Sequence, residues 1–252
     1  MSAAAERLRA MHAGPRPLIL PNVWDPASAK VFADAGFRAL ATSSGAVAAT
    51  LGYRDGQTPA AEMFAAVTRI ARSVNVPVTA DVENGYGLQP GQLVAALADC
   101  GVAGCNLEDS DPARRVLTDP SQQADFLAAV RSEAGRELVI NARVDVYVRP
   151  AADPGEVTDA AVARAGAYFA AGADCVYPIL APPAAIPELV GRIDGPVNVM
   201  YRPDGPTIAD LAAMGVARIT FGSGLHARAG DWLRELAATL AAQAASIGPL
   251  QA

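Results

Sequence analysis

Three carboxylates stand at the ends of two apolar segments in the first half of the chain. Asp81 follows the apolar run 76–80, Glu83 lies two residues later, and Glu108 follows the run 102–107. A strand buried in a parallel sheet is nearly all apolar, so its first charged residues mark the point where it leaves the core. If the two strands are neighbours, the three acids share one edge and repel one another unless a cation or protons intervene.

These acids have no histidine or cysteine beside them, except Cys105 within the second run itself. Hard oxygen ligands of this kind favour Mg²⁺ or Mn²⁺, held partly through water. The alternative interpretation is that the acids cap helices or lie solvated in loops.

Composition limits the class of protein. At 252 residues, 52% of them hydrophobic, the chain could form one barrel or two small domains. No apolar run approaches the ~18 residues of a membrane span, and residues 1–16 lack the apolar core of a signal peptide. The net charge of −6 and the lack of a basic stripe argue against a nucleic-acid partner. Three cysteines, an odd number, fit a reducing cytoplasm better than a disulfide framework.

Two kinds of chemistry are excluded by residue type. Lys30 is the only lysine, and it falls in the middle of the first helix predicted after a strand, so no lysine is available at a strand end for a Schiff base. His12 and His226 are the only histidines, and two cannot build a three-histidine zinc site.

The pattern along the chain predicts eight strand–helix units. Strands are expected at 18–21, 39–42, 76–80, 104–107, 138–142, 174–177, 197–200 and 217–221. Helices follow most of them, and Gly36, Gly101, Gly172 and Gly215 each end a helix before a strand. Residues 43–58 are predicted to form a long loop, and 110–120 a polar loop. Eight units in about 250 residues predict a single (β/α)₈ TIM-type barrel over residues 1–252. An open doubly wound sheet is the alternative, but no reversal point can be placed.

In such a barrel the chemistry lies at the carboxyl ends of the strands. The residues expected there are Asn22, Ser43, Ser44, Gly45, Asp81, Glu83, Glu108, Arg143, Asp145, Tyr177, Asn198 and Ser223. Arg143 is the one clear cation among them, and with a divalent metal it would clamp a small anion, taking a carboxylate in a two-point contact. The alternative for Arg143 is a structural ion pair with Asp145 or a neighbouring acid.

The other residues of this edge have supporting roles in the prediction. Ser44 and Gly45 could offer backbone N–H groups to the same anion. Tyr177 and Asn198 are expected in the wall, with Asn198 against the substrate. Asp25, by contrast, precedes a proline and is predicted to cap a helix rather than to bind a ligand.

Five ordered motifs resemble those of the isocitrate lyase/phosphoenolpyruvate mutase superfamily. They are TSSG at 42–45, LGYRD at 51–55, DVENGYG at 81–87, NLED at 106–109 and NARVD at 141–145. The resemblance implies a Mg²⁺-dependent barrel that acts on 2-oxo or 2-hydroxy acids through an enolate-type species. It also implies that Asp81 binds the metal, while Glu83 and Glu108 act mainly through its waters.

The same resemblance assigns the substrate contacts. Ser44, Gly45 and Arg143 would hold the substrate carboxylate and oxyanion, with Ser43 in the same motif. Asp55 matches an aspartate near the reacting centre. Family members also exchange a C-terminal helix between subunits, so a homodimer or homotetramer is expected, formed through the segment 232–245.

The chain departs from the superfamily pattern at two places. Glu83 stands where an aspartate is common. The lyases also carry a Lys-Cys-Gly-His cluster after the fourth strand, whereas the segment 110–118 has neither cysteine nor histidine. Isocitrate and methylisocitrate lyase activities are therefore rejected. Arg114 or Arg115 could supply charge from a mobile lid, or could simply be exposed loop residues.

Three functions remain open from sequence. The first is cleavage of a C–C or P–C bond next to a 2-oxo acid, as in decarboxylation of oxaloacetate or hydrolysis of phosphonopyruvate. The second is a barrel enzyme that grips a phosphate at Phe-Gly-Ser-Gly, 221–224, although an ordinary tight turn is the favoured interpretation there. The third is a keto-acid binder that kept the metal clamp without the acid/base groups.

Overall fold

A computed structural model describes residues 3–111, 116–148 and 153–246. Within them, eleven short strands occur. They are β1 Leu18–Ile19, β2 Asn22–Val23, β3 Leu40–Thr42, β4 Val78–Asp81, β5 Gly104–Glu108, β6 Ser110–Asp111, β7 Val116–Leu117, β8 Val139–Val144, β9 Cys175–Pro178, β10 Asn198–Met200 and β11 Arg218–Thr220. All pairs among them are parallel except β6 with β7, which form a short antiparallel ribbon.

The parallel strands close on themselves. One sheet runs β2-β3-β4-β5-β8-β9 and another runs β1-β11-β10. An isolated bridge between Val176 and Val197 joins β9 to the segment before β10. At the other seam, β1 and β2 are two halves of the first strand, interrupted at Pro21, which lacks a backbone N–H. Eight strand positions therefore form a closed α/β barrel of the TIM type, and the predicted fold class is confirmed.

Ten α-helices accompany the strands in the described residues. They are α1 Ala3–His12, α2 Pro26–Asp34, α3 Ser44–Leu51, α4 Ala60–Ala71, α5 Pro90–Cys100, α6 Pro120–Ala134, α7 Pro154–Ala170, α8 Ile186–Arg192, α9 Ile208–Ala213 and α10 Gly224–Ala245. Capping residues in the sequence mark where several of these helices begin or end. Asp25 accepts a hydrogen bond from the backbone N–H of Ser28, as its predicted cap role requires, and Gly101 ends α5 in the left-handed conformation.

The prediction of a continuous loop at 43–58 is wrong, because α3 occupies its first half. Ser43 caps this helix by accepting from the Ala46 N–H at 3.3 Å, and Gly52 ends it with φ of 85°. Gly45 made the segment look like a loop, since glycine is a poor helix former. Ala46, Val47 and Ala48 are buried, and this packing outweighs the intrinsic preference.

Helix α1 closes the amino-terminal end of the barrel, a role that the sequence did not reveal. Its Leu8 is fully buried in a cluster with Leu18, Leu20, Ala39, Ala41, Ala103 and Val139. Arg9 fixes the helix from its edge, donating from Nε to Asp174 at 2.7 Å. In the described residues, α1 thus plugs the amino-terminal end of the barrel.

One predicted loop lies partly outside the residues that the structure describes. The polar loop at 110–120 contains the β6–β7 ribbon and the first residue of α6. Residues 112–115 lie outside the described residues, and Arg114 and Arg115 with them.

Among the helices that the structure does describe, none has the length and apolar character needed to cross a bilayer.

Candidate active site

The three predicted carboxylates meet at the carboxyl end of the barrel. Asp81 ends β4 and Glu108 ends β5, and these strands are neighbours with Asp81 in register with Asn106. The pairing continues past the end of β4, because the Glu108 N–H donates to the Glu83 carbonyl at 2.9 Å. This extension places Glu83 beside Glu108, so the three acids lie close together at the carboxyl end of the barrel, here called the mouth, and their roles stay a prediction.

Asp81 is held on one side and unpartnered on the other. Its Oδ2 accepts from the backbone N–H of Ser44 at 3.2 Å and from the Ser44 hydroxyl at 2.9 Å. Its own backbone N–H donates to the Thr42 hydroxyl at 2.9 Å. The Oδ1 atom is buried and has no hydrogen-bond partner. A buried acceptor without a partner is costly, so this oxygen is a candidate ligand atom.

Glu83 sits in a strained conformation beside Asp81. Its φ of 52° lies in the left-handed region, which costs of order 1–3 kcal/mol for a residue with a side chain. The side chain is buried, and Oε1 has no hydrogen-bond partner. Burial, followed by the charges of Asp81 and Asp55, raises the pKa of Glu83 to about 7. Strain, orphaned oxygen and raised pKa all indicate a carboxylate positioned for something other than stability.

Glu108 and Arg143 form an ion pair at the same mouth. Arg143 Nη1 lies 2.7 Å from Glu108 Oε2, and the two residues are in register on β5 and β8. Burial raises the pKa of Glu108 to about 8, despite the opposing effect of Arg143. Burial therefore disfavours the ionised form of Glu108 even though Arg143 lies beside it.

Arg143 is also paired with Asp145, as the alternative interpretation proposed. Its Nε donates to Asp145 Oδ1 at 2.6 Å and its Nη2 to Oδ2 at 2.9 Å. A guanidinium has five N–H donors. The two hydrogen bonds to Asp145 and the ion pair with Glu108 use three of them. The remaining two leave Arg143 able to contact an anion while it is braced by both acids.

An outer layer that the sequence did not predict braces Asp145 in turn. Asp145 accepts from the Ser110 hydroxyl at 2.6 Å, and its backbone N–H donates to Asp109 Oδ1 at 2.8 Å. Asp109 Oδ2 accepts from Arg164 Nη1 at 2.8 Å and from the Tyr168 hydroxyl at 2.6 Å. Asp109, directly after Glu108, could have been suspected from its position. Arg164 and Tyr168 lie in α7 and give no local signal.

The predicted substrate residues at the start of α3 lie next to Asp81, because Ser44 donates to its Oδ2. The Ser43 hydroxyl lies 3.0 Å from the Ser223 hydroxyl. A Cβ built on Gly45 would lie 3.0 Å from Asp55 Cγ and 3.0 Å from Ser223 Oγ, so only glycine fits comfortably. Burial and the charge of Asp81 raise the pKa of Asp55. The structure thus brings Ser43, Gly45 and Asp55 together near the acids.

Asn198 and Tyr177 lie deeper, inside the barrel. Asn198 is fully buried, accepts from the Thr220 hydroxyl at 3.1 Å, and leaves Nδ2 without a partner. Burial raises the pKa of Tyr177 to about 12, so its hydroxyl stays neutral. These residues form part of the interior beneath the mouth, and Asn198 has an unused donor. After β11, the Gly224 N–H donates to the Phe221 carbonyl at 3.0 Å and closes the tight turn favoured from sequence.

The acids suit a divalent cation that is held largely through water. Among the described residues, no group of three or more His, Cys, Asp or Glu side chains is close enough to hold a metal directly. Asp81 Oδ1 and Glu83 Oε1 are buried oxygens that lack partners. Mg²⁺ typically keeps several waters and takes one or two carboxylates from the protein, so this donor set fits it.

Comparison with known proteins identifies relatives over most of the chain. Residues 8–241 match the model of the phosphoenolpyruvate phosphomutase family. An uncharacterized protein of Mycobacterium tuberculosis (strain ATCC 25618 / H37Rv) is 36% identical over 220 residues, covering 84% of this chain and 82% of its own. A "Probable 2-methylisocitrate lyase 2" of Corynebacterium glutamicum is 33% identical over 202 residues, covering 75% of this chain and 64% of its own.

Solved structures agree with this assignment. A Burkholderia cenocepacia J2315 protein, described as a "putative phosphonomutase", is 43% identical, with a TM-score of 0.87 over 93% of this chain and 98% of its own. A 2,3-dimethylmalate lyase of the PEP mutase/isocitrate lyase superfamily is 26% identical, with a TM-score of 0.83 over 95% of this chain and 88% of its own. The predicted resemblance is confirmed, and the chain belongs to the phosphoenolpyruvate phosphomutase family.

Proposed function

We propose that this protein is a Mg²⁺- or Mn²⁺-dependent enzyme that breaks a C–C or C–P bond next to the carbonyl of a small 2-oxo acid. The observation that carries the proposal is the pair of buried, unpartnered oxygens, Asp81 Oδ1 and Glu83 Oε1, close enough to Arg143 to feel its charge. A cation on one side and a guanidinium on the other would complement a molecule that bears both a carbonyl and a carboxylate.

In this proposal Asp81 holds the metal, and Glu83 and Glu108 contact it through water. The bound cation would act as a Lewis acid on the 2-oxo group, so that electrons released by bond cleavage are stabilised. Asp81 is aligned for this role by Ser44, which donates twice to its other oxygen. The strain at Glu83 is consistent with a carboxylate fixed before the ligand arrives.

The substrate carboxylate would lie between α3 and Arg143. Gly45 is the second residue of α3, where a helix leaves backbone N–H groups without intrahelical partners. Ser43 precedes this helix and Ser44 begins it, and Asp55 of the adjoining loop occupies the space that a side chain at position 45 would need. Arg143 would contribute its two free N–H groups, and Asn198 its unpaired amide from below.

Decarboxylation makes the smallest demand on this site. It needs an electron sink and then a proton, whereas the lyases of the superfamily resemblance rely on a cysteine and histidine that the segment 110–118 lacks. A relative named oxaloacetate decarboxylase 2, from Pseudomonas putida (strain W619), is 27% identical over 241 residues. The relative named a probable 2-methylisocitrate lyase is 33% identical, so exclusion of that activity remains a prediction.

A substrate screen tests the proposal. Oxaloacetate, phosphonopyruvate and 2-methylisocitrate are incubated with the full chain, with and without Mg²⁺, and pyruvate or succinate is measured. We expect turnover of one of the first two, lost on chelation, and none of 2-methylisocitrate. Turnover that survives chelation contradicts the metal role. Binding of oxalate with Mg²⁺ but no turnover of any 2-oxo acid favours the keto-acid binder.

We also propose that the protein assembles as a homodimer or homotetramer through α10. This 22-residue helix has no buried residue, and Trp232, Leu233, Leu236 and Leu240 are all exposed on it. An apolar face of that size on a single chain is typical of a subunit interface. Light scattering should give a mass of two or four chains, and Leu236→Glu should lower it. A monomeric wild type would contradict the assembly.

The remaining expectations stay proposals. The three cysteines are free and buried, which fits a protein of the reducing cytoplasm. The barrel strands and their helices extend through most of the sequence, as expected for one domain over residues 1–252. The net charge of −6 gives no support to a nucleic-acid partner.

A further inference from the structure

A single arginine is sealed inside the barrel beneath the acids. Arg218, on β11, has no exposed surface. Its Nη2 donates to Asn106 Oδ1 at 3.2 Å, while Nε and Nη1 have no hydrogen-bond partner. No acid within the described residues forms an ion pair with it, in contrast to Arg143 and Arg164 at the mouth. An unpaired buried charge is strongly unfavourable, so its presence calls for a compensating role.

The groups nearest to Arg218 do not neutralise it. Burial raises the pKa of both Cys175 and Tyr177 to about 12, and also that of Cys105, so all three stay uncharged. Burial and Arg218 itself lower the pKa of His12 to about 4, so this base-end histidine is neutral too. A guanidinium remains protonated even where burial lowers its pKa. Of the carboxylates, Asp81 has the strongest stated effect on the pKa of Arg218.

The hydrogen bond to Asn106 fixes how far the charge lies from the mouth. Side chains alternate along a strand, so positions 104, 106 and 108 of β5 face the same side. Gly104 carries no side chain, Asn106 receives Arg218, and Glu108 is in the acid cluster. Asn106 is also in register with Asp81 on β4. The guanidinium consequently lies one inward-facing position below the proposed ligand site.

We propose that Arg218 is an electrostatic positioning residue, a fixed positive charge under the cavity that strengthens binding of the anionic substrate without touching it. This inference rests on the proposed function and specifies how the site favours an anion. The same charge opposes a divalent cation, so Arg218 should shift the site from binding metal alone toward binding metal together with a carboxylate. In the low-dielectric interior such a charge acts across several ångströms with little screening.

The test compares the binding of two ligands, Mg²⁺ and oxalate, on which the charge of Arg218 should have opposite effects. Arg218→Met keeps the length of the side chain and removes its charge. Calorimetry measures Mg²⁺ binding to the free protein, and then oxalate binding at saturating Mg²⁺, at the same pH for the wild type and each variant. We expect oxalate to bind roughly tenfold more weakly and Mg²⁺ to bind severalfold more tightly. A purely structural role would weaken both.

Two further variants separate charge from packing. Arg218→Lys keeps a cationic group, but burial lowers the pKa of a lysine far more readily than it deprotonates an arginine, so the ratio of the two affinities should move toward the wild-type ratio as pH falls. Thr79→Val changes an uncharged interior side chain, whose hydroxyl has no partner, and should leave both affinities unchanged. If Arg218→Met does not fold, Arg218→Gln takes its place beside Arg218→Lys.

The outcomes distinguish this inference from the proposed function. Parallel weakening of both ligands in the charge-free variant, or no change in either, overturns the role of Arg218. Failure of the wild-type protein to bind oxalate with Mg²⁺ overturns the proposed function instead.

Discussion

The acids at the two ends of the barrel differ in how completely the protein itself satisfies them. At the plugged end, Asp174 has a partner for both oxygens: Arg9 Nε and the Ile140 N–H, at 2.7 Å and 2.9 Å, together with Arg131. At the open end, Asp81 and Glu83 each leave a buried oxygen unpartnered, and Glu83 adopts a left-handed backbone. Asp174 is therefore satisfied by groups of the protein itself, whereas Asp81 and Glu83 each keep one oxygen unpartnered. We therefore expect substitution of Asp174 to affect mainly stability, and substitution of Asp81 or Glu83 to affect mainly ligand binding.

The largest expected effect comes from Asp81→Asn. The amide keeps the size of the side chain but removes the charge that faces the metal, so Mg²⁺ binding should fall below detection and turnover by at least ~10³-fold. Calorimetry with Mg²⁺ and steady-state assays measure both. The fold should persist by circular dichroism, because Ser44 can still donate to the remaining carbonyl oxygen. Retained Mg²⁺ affinity would place the metal elsewhere.

Arg143→Lys should give a smaller loss of a different kind. A lysine keeps the charge but cannot reproduce the bidentate contact with Asp145 or offer two spare donors to a carboxylate. We expect KM for the 2-oxo acid to rise by ~10–100-fold, with Mg²⁺ affinity within a few fold of wild type. A change in Mg²⁺ affinity as large as that in KM would contradict the division of labour between Arg143 and Asp81.

Asp174→Asn is the matched variant at the plugged end. It removes the charge that joins Arg9 and Arg131, and because its side chain is only 15% exposed, we expect a loss of about 1–3 kcal/mol in the free energy of unfolding. Oxalate and Mg²⁺ affinities should not change. Urea denaturation measures the first and calorimetry the second. Equal damage to ligand binding would show that the two ends are coupled.

The same contrast explains how much could be predicted from sequence. The strand ends at Asp81 and Glu108 were predictable, because an apolar run that stops at an acid marks the rim of a parallel sheet. The plug formed by α1 was not, since Leu8 finds its partners only in strands that close far along the chain. Arg218 was missed for the same reason. Within the segment 217–221 it looks like one polar residue in a strand, and only barrel closure reveals that it faces the interior.

The smallest expected effect is on the pH dependence of stability. The pKa values of Glu83 and Glu108 lie at about 7 and about 8, above their ordinary 4.5. The unfolded chain ionises these acids first, so the ligand-free protein loses stability as pH rises from 4.5 through those values. Mg²⁺ binds the ionised form, and the rise in Tm that it causes should therefore grow over the same window. Thermal unfolding with and without Mg²⁺ measures this, and Glu83→Gln should remove the part of the increase centred near pH 7. A Tm increase that is independent of pH across this window would mean that the two acids are already ionised without Mg²⁺, and that the unpartnered oxygen of Glu83 does not mark a cation site.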